Sequence, residues 1–200
     1  MKRIFDLALS VFLLLMVSPV LAGISVWIKL DSRGSIFYRS ARAGLHGRPF
    51  RMLKFRTMVT DAESLGGPST PDDDPRLTRA GTRLRRFNLD ELPQLINVLK
   101  GEMSMVGPRP EVLSEVETYT ADQRALLSVR PGMTDYASIR FNNEGEIIRG
   151  AEDPHQAYKE LIQPEKIRLG LEYVQNRSLL TDLRILLATA ASIFRRKRLR

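Results

Sequence analysis

The chain has 200 residues, 43% of them hydrophobic, and no cysteine, which excludes a disulfide framework, a cysteine-ligated zinc site and a thiol nucleophile. Its net charge of +8 is concentrated at the two ends, because the closing stretch RRKRLR carries five positive charges and residues 1–29 carry a net two. A nucleic-acid-binding protein usually spreads positive charge over a folded face, whereas charge beside apolar chain ends favours an anionic membrane surface, so we predict lipid contact and no nucleic-acid partner.

An apolar segment runs from residue 4 to residue 28, with Ser18 and Pro19 near its centre. A helix of this length measures about 37 Å, enough to cross a bilayer core of roughly 30 Å. It could be a cleaved signal peptide ending before Gly23, although Asp6 interrupts the apolar run. It could also be a plain spanning helix. A third interpretation is a helix that enters one leaflet and returns.

The basic residues at both ends of this segment give the positive-inside rule no orientation to choose. A returning helix would explain the basic residues at both ends, because both ends would lie on the cytoplasmic side. Pro19 would remove a backbone donor and clash with the preceding turn. Ser18 would re-satisfy backbone groups that lipid cannot.

Beyond the apolar segment, two strands are predicted at residues 35–40 and 48–58, around the turn AGLHGRP. The period of two places Lys54 and Arg56 on one face of the second strand. Residues 61–75 contain glycine, proline and acidic residues without apolar periodicity, which is typical of a loop.

The remaining predicted elements are mostly helical. A helix is expected over residues 88–101, because Leu92, Leu95, Ile96 and Leu99 form one apolar stripe and Gly101 ends it. Residues 104–110, SMVGPRP, are expected to form a stiff, non-helical turn. Further helices are predicted at 111–128 and 155–176. An amphipathic helix at 179–200 runs into the basic tail.

Asp90 and Glu91 are the first candidates for chemistry. Asn88 could cap the predicted helix and Glu91, three residues on, could complete a capping box, so that Asp90 would only favour the helix dipole. Alternatively, a carboxylate at a helix N-terminus lies where phosphate and magnesium also bind. An aspartate there can attack phosphorus to give an acyl phosphate. The pattern alone leaves both interpretations open.

Four basic residues are candidates for binding substrate phosphate: Lys54, Arg56, Arg85 and Arg109. Pro108 and Pro110 flank Arg109 and hold its backbone extended, and a fixed guanidinium binds phosphate oxygens through two parallel hydrogen bonds. Each of the four could equally be a solvated surface residue. The run Asp72–Asp74 could form an Asp-x-Asp metal site, although solvated charge runs are commoner.

Several longer stretches carry a family resemblance: KRIFDLALS, the SP of the apolar helix, KFRTM, LTRAGTRLRRFNLDELPQLINVLKGEMSMVGPRPE, RPGMT and LEYVQNRSLLTDLRIL. Through them the chain resembles the bacterial sugar transferases, specifically the small monotopic polyprenyl-phosphate phosphoglycosyl transferases. The matching stretches cover nearly the whole chain. It departs at PGMTDYASI, where relatives commonly read Pro-Gly-Ile-Thr-Gly, so Asp135 and Tyr136 leave the sugar specificity open.

The resemblance implies an enzyme that moves a sugar 1-phosphate from a UDP-sugar to undecaprenyl phosphate and releases UMP, the first membrane step of polysaccharide, O-antigen or glycoprotein glycan synthesis. It implies Asp90 and Glu91 as the catalytic pair and as the magnesium site, with Asp90 as nucleophile. Glu91 would either complete the metal site or take a proton, and the sequence leaves both roles open. It also implies Pro108-Arg109-Pro110 as a supporting turn and Ser18-Pro19 as the break of a re-entrant helix.

The resemblance therefore implies an α+β fold. Residues 1–29 would form the re-entrant membrane helix, and residues 30–200 a mainly helical catalytic domain with a small β-hairpin, amphipathic surface helices and a basic tail. That domain would lie on the cytoplasmic face of the bacterial inner membrane. The rival interpretations are a metal-dependent glycosyltransferase using Asp72 and Asp74, and a non-catalytic membrane-anchored scaffold. The sequence leaves a homo-oligomer open.

Overall fold

A computed structural model of the chain describes residues 1–66 and 69–198, except for the side chains of Glu63 and residues 193–198. Its helices are α1 (Lys2–Asp31), α2 (Ala62–Leu65), α3 (Arg79–Arg86), α4 (Gln94–Lys100), α5 (Leu113–Glu117), α6 (Tyr136–Arg140), α7 (Glu144–Ile147), α8 (Pro154–Leu161), α9 (Gln163–Gln175) and α10 (Leu179–Arg198). Its strands are β1 (Phe37–Ala43), β2 (Pro49–Phe55), β3 (Ser104–Val106) and β4 (Gly132–Thr134). The predicted mainly helical fold with a small hairpin is confirmed; the side chains of the basic tail lie outside the described residues.

Helix α1 is a continuous helix of 30 residues, about 45 Å long, and it is long and apolar enough to cross a membrane. Pro19 lies inside it, and the hydroxyl of Ser18 donates to the carbonyl of Leu15 at 2.9 Å. The serine thus makes the backbone contact expected of it. The return of the helix to one membrane face stays a prediction.

The N-terminal end of α1 is fastened to the folded domain by polar contacts. Lys2 Nζ lies 2.5 Å from Asp182 Oδ2 on α10 and donates to the carbonyl of Val106 at 3.1 Å. One turn further on, the buried carboxylate of Asp6 accepts from Ser104 Oγ at 2.8 Å and from the backbone N–H of Met105 at 3.1 Å. These contacts join α1 to both β3 and α10.

The C-terminal end of α1 is fastened to the same domain. Ile24 and Ile28 are buried against Phe55 at the end of β2 and Leu84 of α3. Asp31 accepts a hydrogen bond from the backbone N–H of Ala80 at 3.0 Å. Both ends of the apolar helix therefore contact one folded unit, while large apolar side chains elsewhere along it remain exposed, among them Phe12, Leu15 and Met16.

The hairpin and α4 form the frame beside this helix. Strands β1 and β2 pair antiparallel, with Tyr38 opposite Lys54 and Arg42 opposite Phe50. The side chain of Asn97 binds the hairpin from α4, accepting from Leu53 N at 2.9 Å and donating to the carbonyl of Arg51 at 2.8 Å. The principal core cluster includes side chains of both elements and consists of Met52, Leu95, Val98, Met103, Met105, Val106, Tyr173 and Ile185.

The single helix predicted over residues 88–101 is only partly right. Asn88 adopts a left-handed conformation with φ 54°, a 3₁₀ turn follows at Leu89–Glu91, and α4 begins only at Gln94. Pro93 explains why the α-helix begins so late, because Pro93 has no N–H to donate to the carbonyl of Leu89, as an α-helix would require. The predicted end at Gly101 is confirmed, with φ 83°.

Elsewhere, non-local pairing changes the predicted elements. Residues 104–110 do not form only a turn, because β3 pairs in parallel with β4, about 28 residues away. The helix predicted at 111–128 is split into α5 and a 3₁₀ turn, Gln123–Ser128, and that at 155–176 into α8 and α9. Helices α2, α3, α6 and α7 have no counterpart in the prediction, and α2 lies within residues 61–75, which were predicted to be a loop.

The contact between Lys2 and Asp182 yields a first prediction. Asp182 is 1% exposed and also accepts from the hydroxyl of Tyr173 at 2.7 Å, so Asp182→Ala removes the partner of two groups at once. We expect the thermal midpoint to fall by about 2–10 °C, and Asp122→Ala, at an exposed position, to leave it unchanged. Equal midpoints for the two variants would show that this contact does not fasten α1.

Candidate active site

The centre of the site is the carboxylate of Glu91. Its Oε1 accepts a hydrogen bond from Lys54 Nζ at 2.9 Å and another from Arg109 Nη2. Burial alone would raise the pKa of this carboxyl, but the charges and hydrogen bonds of Arg109 and Lys54 outweigh it and hold the pKa well below its ordinary value. Glu91 is therefore ionised throughout the physiological range.

Three separate elements deliver these side chains. Lys54 comes from β2, Glu91 from the 3₁₀ turn before α4, and Arg109 from the segment that follows β3. The parallel pairing of β3 continues into that segment, because Gly107 N donates to the carbonyl of Thr134 at 3.0 Å and Gly132 N to that of Pro108 at 2.9 Å. The backbone before Arg109 is thus fixed by strand pairing as well as by its two flanking prolines.

Asp90, beside Glu91, has the opposite surroundings. It is 6% exposed, and no residue of the described chain donates a hydrogen bond to its carboxylate or forms an ion pair with it. Burial raises the pKa of the Asp90 carboxyl above its ordinary value; Lys54 counteracts this, while the charge of Glu91 adds to it. The structure thus presents one paired carboxylate and one unpaired carboxylate side by side.

The capping-box interpretation of this pair is wrong. The side chain of Asn88 makes no cap hydrogen bond, and its backbone is left-handed rather than extended as an N-cap requires. Its own N–H donates to the carbonyl of Arg85 at 3.1 Å. Glu91 is directed to Lys54 and Arg109, so neither half of the box forms.

The other predicted phosphate-binding arginines differ in position. Arg85, on α3, is among the charges that act on Asp90, and its Nη2 donates to the carbonyl of Thr70 at 3.0 Å. The buried Arg56 instead donates to the carbonyl of Ser32 at 2.8 Å, to its hydroxyl at 2.9 Å and to the carbonyl of Arg33. Arg85 therefore lies on the side of the Asp90–Glu91 pair, whereas Arg56 binds the backbone at the end of α1.

The run Asp72–Asp74 does not present two free carboxylates. Arg76 clamps the buried Asp74, with Nε 2.9 Å from Oδ1 and Nη2 2.6 Å from Oδ2. Asp73 lies 3.7 Å from Arg149. Asp74 is therefore occupied by its neighbour, and nothing in this loop favours an Asp-x-Asp metal site.

The two carboxylates beside each other do suit a magnesium ion. The part of the chain that the structure describes contains no cluster of three or more His, Cys, Asp or Glu side chains arranged for a metal. Magnesium needs no such cage, since it commonly binds one or two carboxylates together with substrate phosphates and waters. Asp90, without a partner, and the second oxygen of Glu91 are the groups that fit it.

Some residues of this region were not predicted at all. Tyr158 donates to Glu111 Oε1 at 3.1 Å, and Lys166 Nζ lies 2.5 Å from Glu144 Oε2. Gln94, four residues after Asp90, is completely buried, and neither polar atom of its amide has a hydrogen-bond partner among the described residues. No local pattern marks these residues, because they lie on different elements that only the tertiary fold brings together.

The departure at PGMTDYASI has a structural explanation. Asp135 Oδ1 caps α6, accepting from both Ser138 N and Ser138 Oγ at 2.7 Å. Its charge also acts on Arg109, whose pKa is held above its ordinary value mainly by Glu91, against the effect of burial. The residue is thus a helix cap close to the site.

The model of the bacterial sugar transferase family matches residues 1–196, and the chain belongs to this family. It is 36% identical over 193 residues to the uncharacterized sugar transferase EpsL of Bacillus subtilis, a match covering 96% of this chain and 87% of that protein. It is 35% identical to a UDP-glucose:undecaprenyl-phosphate glucose-1-phosphate transferase of Caulobacter vibrioides, covering 96% and 69%. For the undecaprenyl-phosphate glucose phosphotransferase of Komagataeibacter xylinus the identity is 40%, covering 94% of this chain and 35% of the relative.

The contrast between the two carboxylates predicts opposite effects on stability. The pKa of folded Asp90 is raised, so its charge destabilises the fold, and this cost appears as pH rises through the raised pKa. Asp90→Asn should therefore raise the thermal midpoint at neutral pH, by about 2–4 °C for each kcal/mol removed. The gain should vanish at a pH below the ordinary pKa of aspartate.

Glu91→Gln should do the reverse. Its depressed pKa means that ionised Glu91 stabilises the fold at neutral pH, and the amide would leave Lys54 and Arg109 without their anion. We expect a lower midpoint by several degrees, measured under the same conditions as Asp90→Asn. Equal shifts of the same sign for the two variants would contradict the assignment of paired and unpaired carboxylates.

Proposed function

We propose that the protein transfers a sugar 1-phosphate from a UDP-sugar to undecaprenyl phosphate, giving undecaprenyl-diphosphate-sugar and UMP. The observation that carries this proposal is the buried carboxylate of Asp90, which no described residue pairs with. It lies beside Glu91, and Lys54 and Arg109 hold Glu91 in place. Relatives named for UDP-glucose and undecaprenyl phosphate support the two substrates. The relatives named for exopolysaccharide production support the pathway class.

In the first step an oxygen of Asp90 attacks the phosphorus that carries the sugar. A bond forms between this oxygen and phosphorus, the phosphoanhydride bond to UMP breaks, and UMP leaves with the electron pair. The carboxylate suits this role because no hydrogen bond from the described residues occupies its oxygens. Lys54, Arg85 and Arg109 lie close enough to act on its charge and would offset the negative charge of the diphosphate.

In the second step a phosphate oxygen of undecaprenyl phosphate attacks the same phosphorus. The bond between Asp90 and phosphorus breaks, the carboxylate is regenerated and the new diphosphate stays with the lipid. Glu91 is a poor proton acceptor, since its pKa is held well below its ordinary value. Its role is to fix Lys54 and Arg109, and its second oxygen would be available to hold magnesium.

Magnesium would be held by Asp90 and Glu91 and, when bound, would neutralise charge on the diphosphate. The fit rests on the free oxygens of the two carboxylates.

We therefore expect EDTA to stop turnover and added magnesium to restore it, while the fold of the protein stays the same.

The attachment of α1 supports a proposal for how the protein lies in the membrane. Lys2 at one end and Asp31 at the other both contact the domain, and the apolar side chains between them that do not pack on it are exposed. Domain contacts at both ends support an α1 whose two ends share the side of the membrane on which the domain lies. We propose that this is the cytoplasmic face of the bacterial inner membrane, where nucleotide sugar and lipid phosphate meet.

The nucleophile is tested with a panel of UDP-sugars, beginning with UDP-glucose, in the absence of lipid phosphate. The parent should release about one UMP per protein and retain the radiolabelled sugar phosphate, whereas Asp90→Asn should do neither, because an amide cannot attack phosphorus. Labelling of the Asp90→Asn protein, or turnover by it with lipid phosphate, would refute the covalent mechanism. Release of UDP instead of UMP would favour a glycosyltransferase.

The role of Arg109 is tested by Arg109→Lys, which keeps the charge but loses the guanidinium fork. We expect kcat/KM to fall tenfold or more, as a charged hydrogen bond is worth about 1.5–3 kcal/mol. The exposed Arg48, in the hairpin turn, provides the matched control Arg48→Lys. If both variants react like the parent, Arg109 does not bind the reacting phosphate.

The topology is tested by cysteine labelling, since the chain has no native cysteine. One cysteine is inserted after Met1 and, separately, one replaces the exposed Arg33. In intact cells both should resist a membrane-impermeant maleimide, and both should react after lysis. Labelling of one site but not the other from outside would show that α1 spans the membrane.

A further inference from the structure

The hairpin carries a cation that none of the roles above uses. Arg42 is partly buried on β1, and its Nε donates to Ser40 Oγ at 3.1 Å. Within the described parts of the chain, its two Nη groups have no hydrogen-bond partner, and no carboxylate lies within ion-pairing distance. By contrast, Arg56, Arg76 and Arg109 each donate hydrogen bonds from a terminal guanidinium nitrogen to an oxygen of another residue. The guanidinium group of Arg42 thus has hydrogen-bond donors that no described residue uses.

Two charged residues, Arg109 and Glu111, belong to a segment that pairs with β1 beside Arg42, where the N–H of Ala43 donates to the carbonyl of Glu111 at 3.0 Å. Burial lowers the pKa of Arg42; Glu111 raises it, and the like charge of Arg109 lowers it further. Glu111 does not neutralise Arg42 by direct contact, as its Oε1 accepts from Tyr158 instead. An anion bound between Arg42 and Arg109 would remove the repulsion between them and supply acceptors for the free Nη groups.

The positions of these charged groups indicate which anion would bind between Arg42 and Arg109. In the hairpin, Lys54 lies opposite Tyr38, and Arg42 is four residues further along β1. Arg109 shares the carboxylate oxygen of Glu91 with Lys54. Two residues later the carbonyl of Glu111 accepts from Ala43 N at 3.0 Å, next to Arg42. The chain from Arg109 to Glu111 therefore runs from the end of the hairpin beside the Asp90–Glu91 pair toward Arg42. In phosphoryl transfer the attacking and leaving oxygens lie roughly in line, on opposite sides of phosphorus. A phosphorus bound at Arg109 would thus have its leaving group on the side of Arg42.

We infer that Arg42 and Arg109 form a phosphate subsite on the side of the reacting phosphorus away from Asp90, occupied first by the phosphate of the leaving nucleotide and then by the phosphate of the lipid. This inference rests on the proposed two-step transfer. Both displacements occur at one phosphorus and on one carboxylate, so in-line geometry gives the departing and the incoming phosphate the same position.

The test compares Arg42→Gln with Arg39→Gln, which removes the same charge from an exposed position of the same strand. UMP affinity is measured by thermal shift, and KM is measured for the UDP-sugar and for undecaprenyl phosphate. For Arg42→Gln we expect UMP binding about tenfold weaker or more and both KM values raised, from the loss of charged hydrogen bonds. Arg39→Gln should match the parent.

Arg42→Lys serves where Arg42→Gln is too unstable to purify, and it should lie between the parent and Arg42→Gln because it keeps charge without the fork. Unchanged UMP affinity in the Arg42 variants would overturn the subsite. A raised KM for only one of the two substrates would overturn its shared use. The binding measurement is independent of turnover, so a parent that binds UMP through Arg42 but releases none would refute the transfer and not the subsite.

Discussion

The ion pairs of Glu91 with Lys54 and Arg109 join the elements on which the site depends. A single carboxylate oxygen holds the end of the hairpin, the turn before α4 and the segment after β3 in one place. Lys54 and Arg109 both contact this one oxygen, and without its negative charge the two cations would repel one another. The carboxylate therefore holds the two cations together at the site.

Because Glu91 takes these partners, Asp90 is left without them. Two adjacent carboxylates thus have surroundings that shift their pKa values in opposite directions, a pattern typical of groups that divide catalytic roles. In the proposed mechanism the stable ion pair serves as structure, and the desolvated carboxylate of Asp90 serves as nucleophile. The burial of Asp90 is costly to the fold, which is a common feature of active sites.

The apolar helix is part of this arrangement rather than a detached anchor. Lys2 contacts Asp182 and the carbonyl of Val106, three residues before Arg109 in the chain. At the other end, Arg56 binds the carbonyls that follow α1, only two residues from Lys54. Both ends of the apolar helix are therefore joined to the site through short, buried stretches of backbone.

The sequence by itself determined the apolar helix, the hairpin, the end of α4 at Gly101 and, through a long run of matching residues, the family. These features are local, because periodicity, turn residues and contiguous motifs depend on neighbours in the chain. Only the tertiary structure decided that Glu91 binds Lys54 and Arg109, that Asn88 is no cap and that Arg56 serves α1. It also placed Arg42, since such contacts depend on strand pairing and burial across distant segments, which no local pattern encodes.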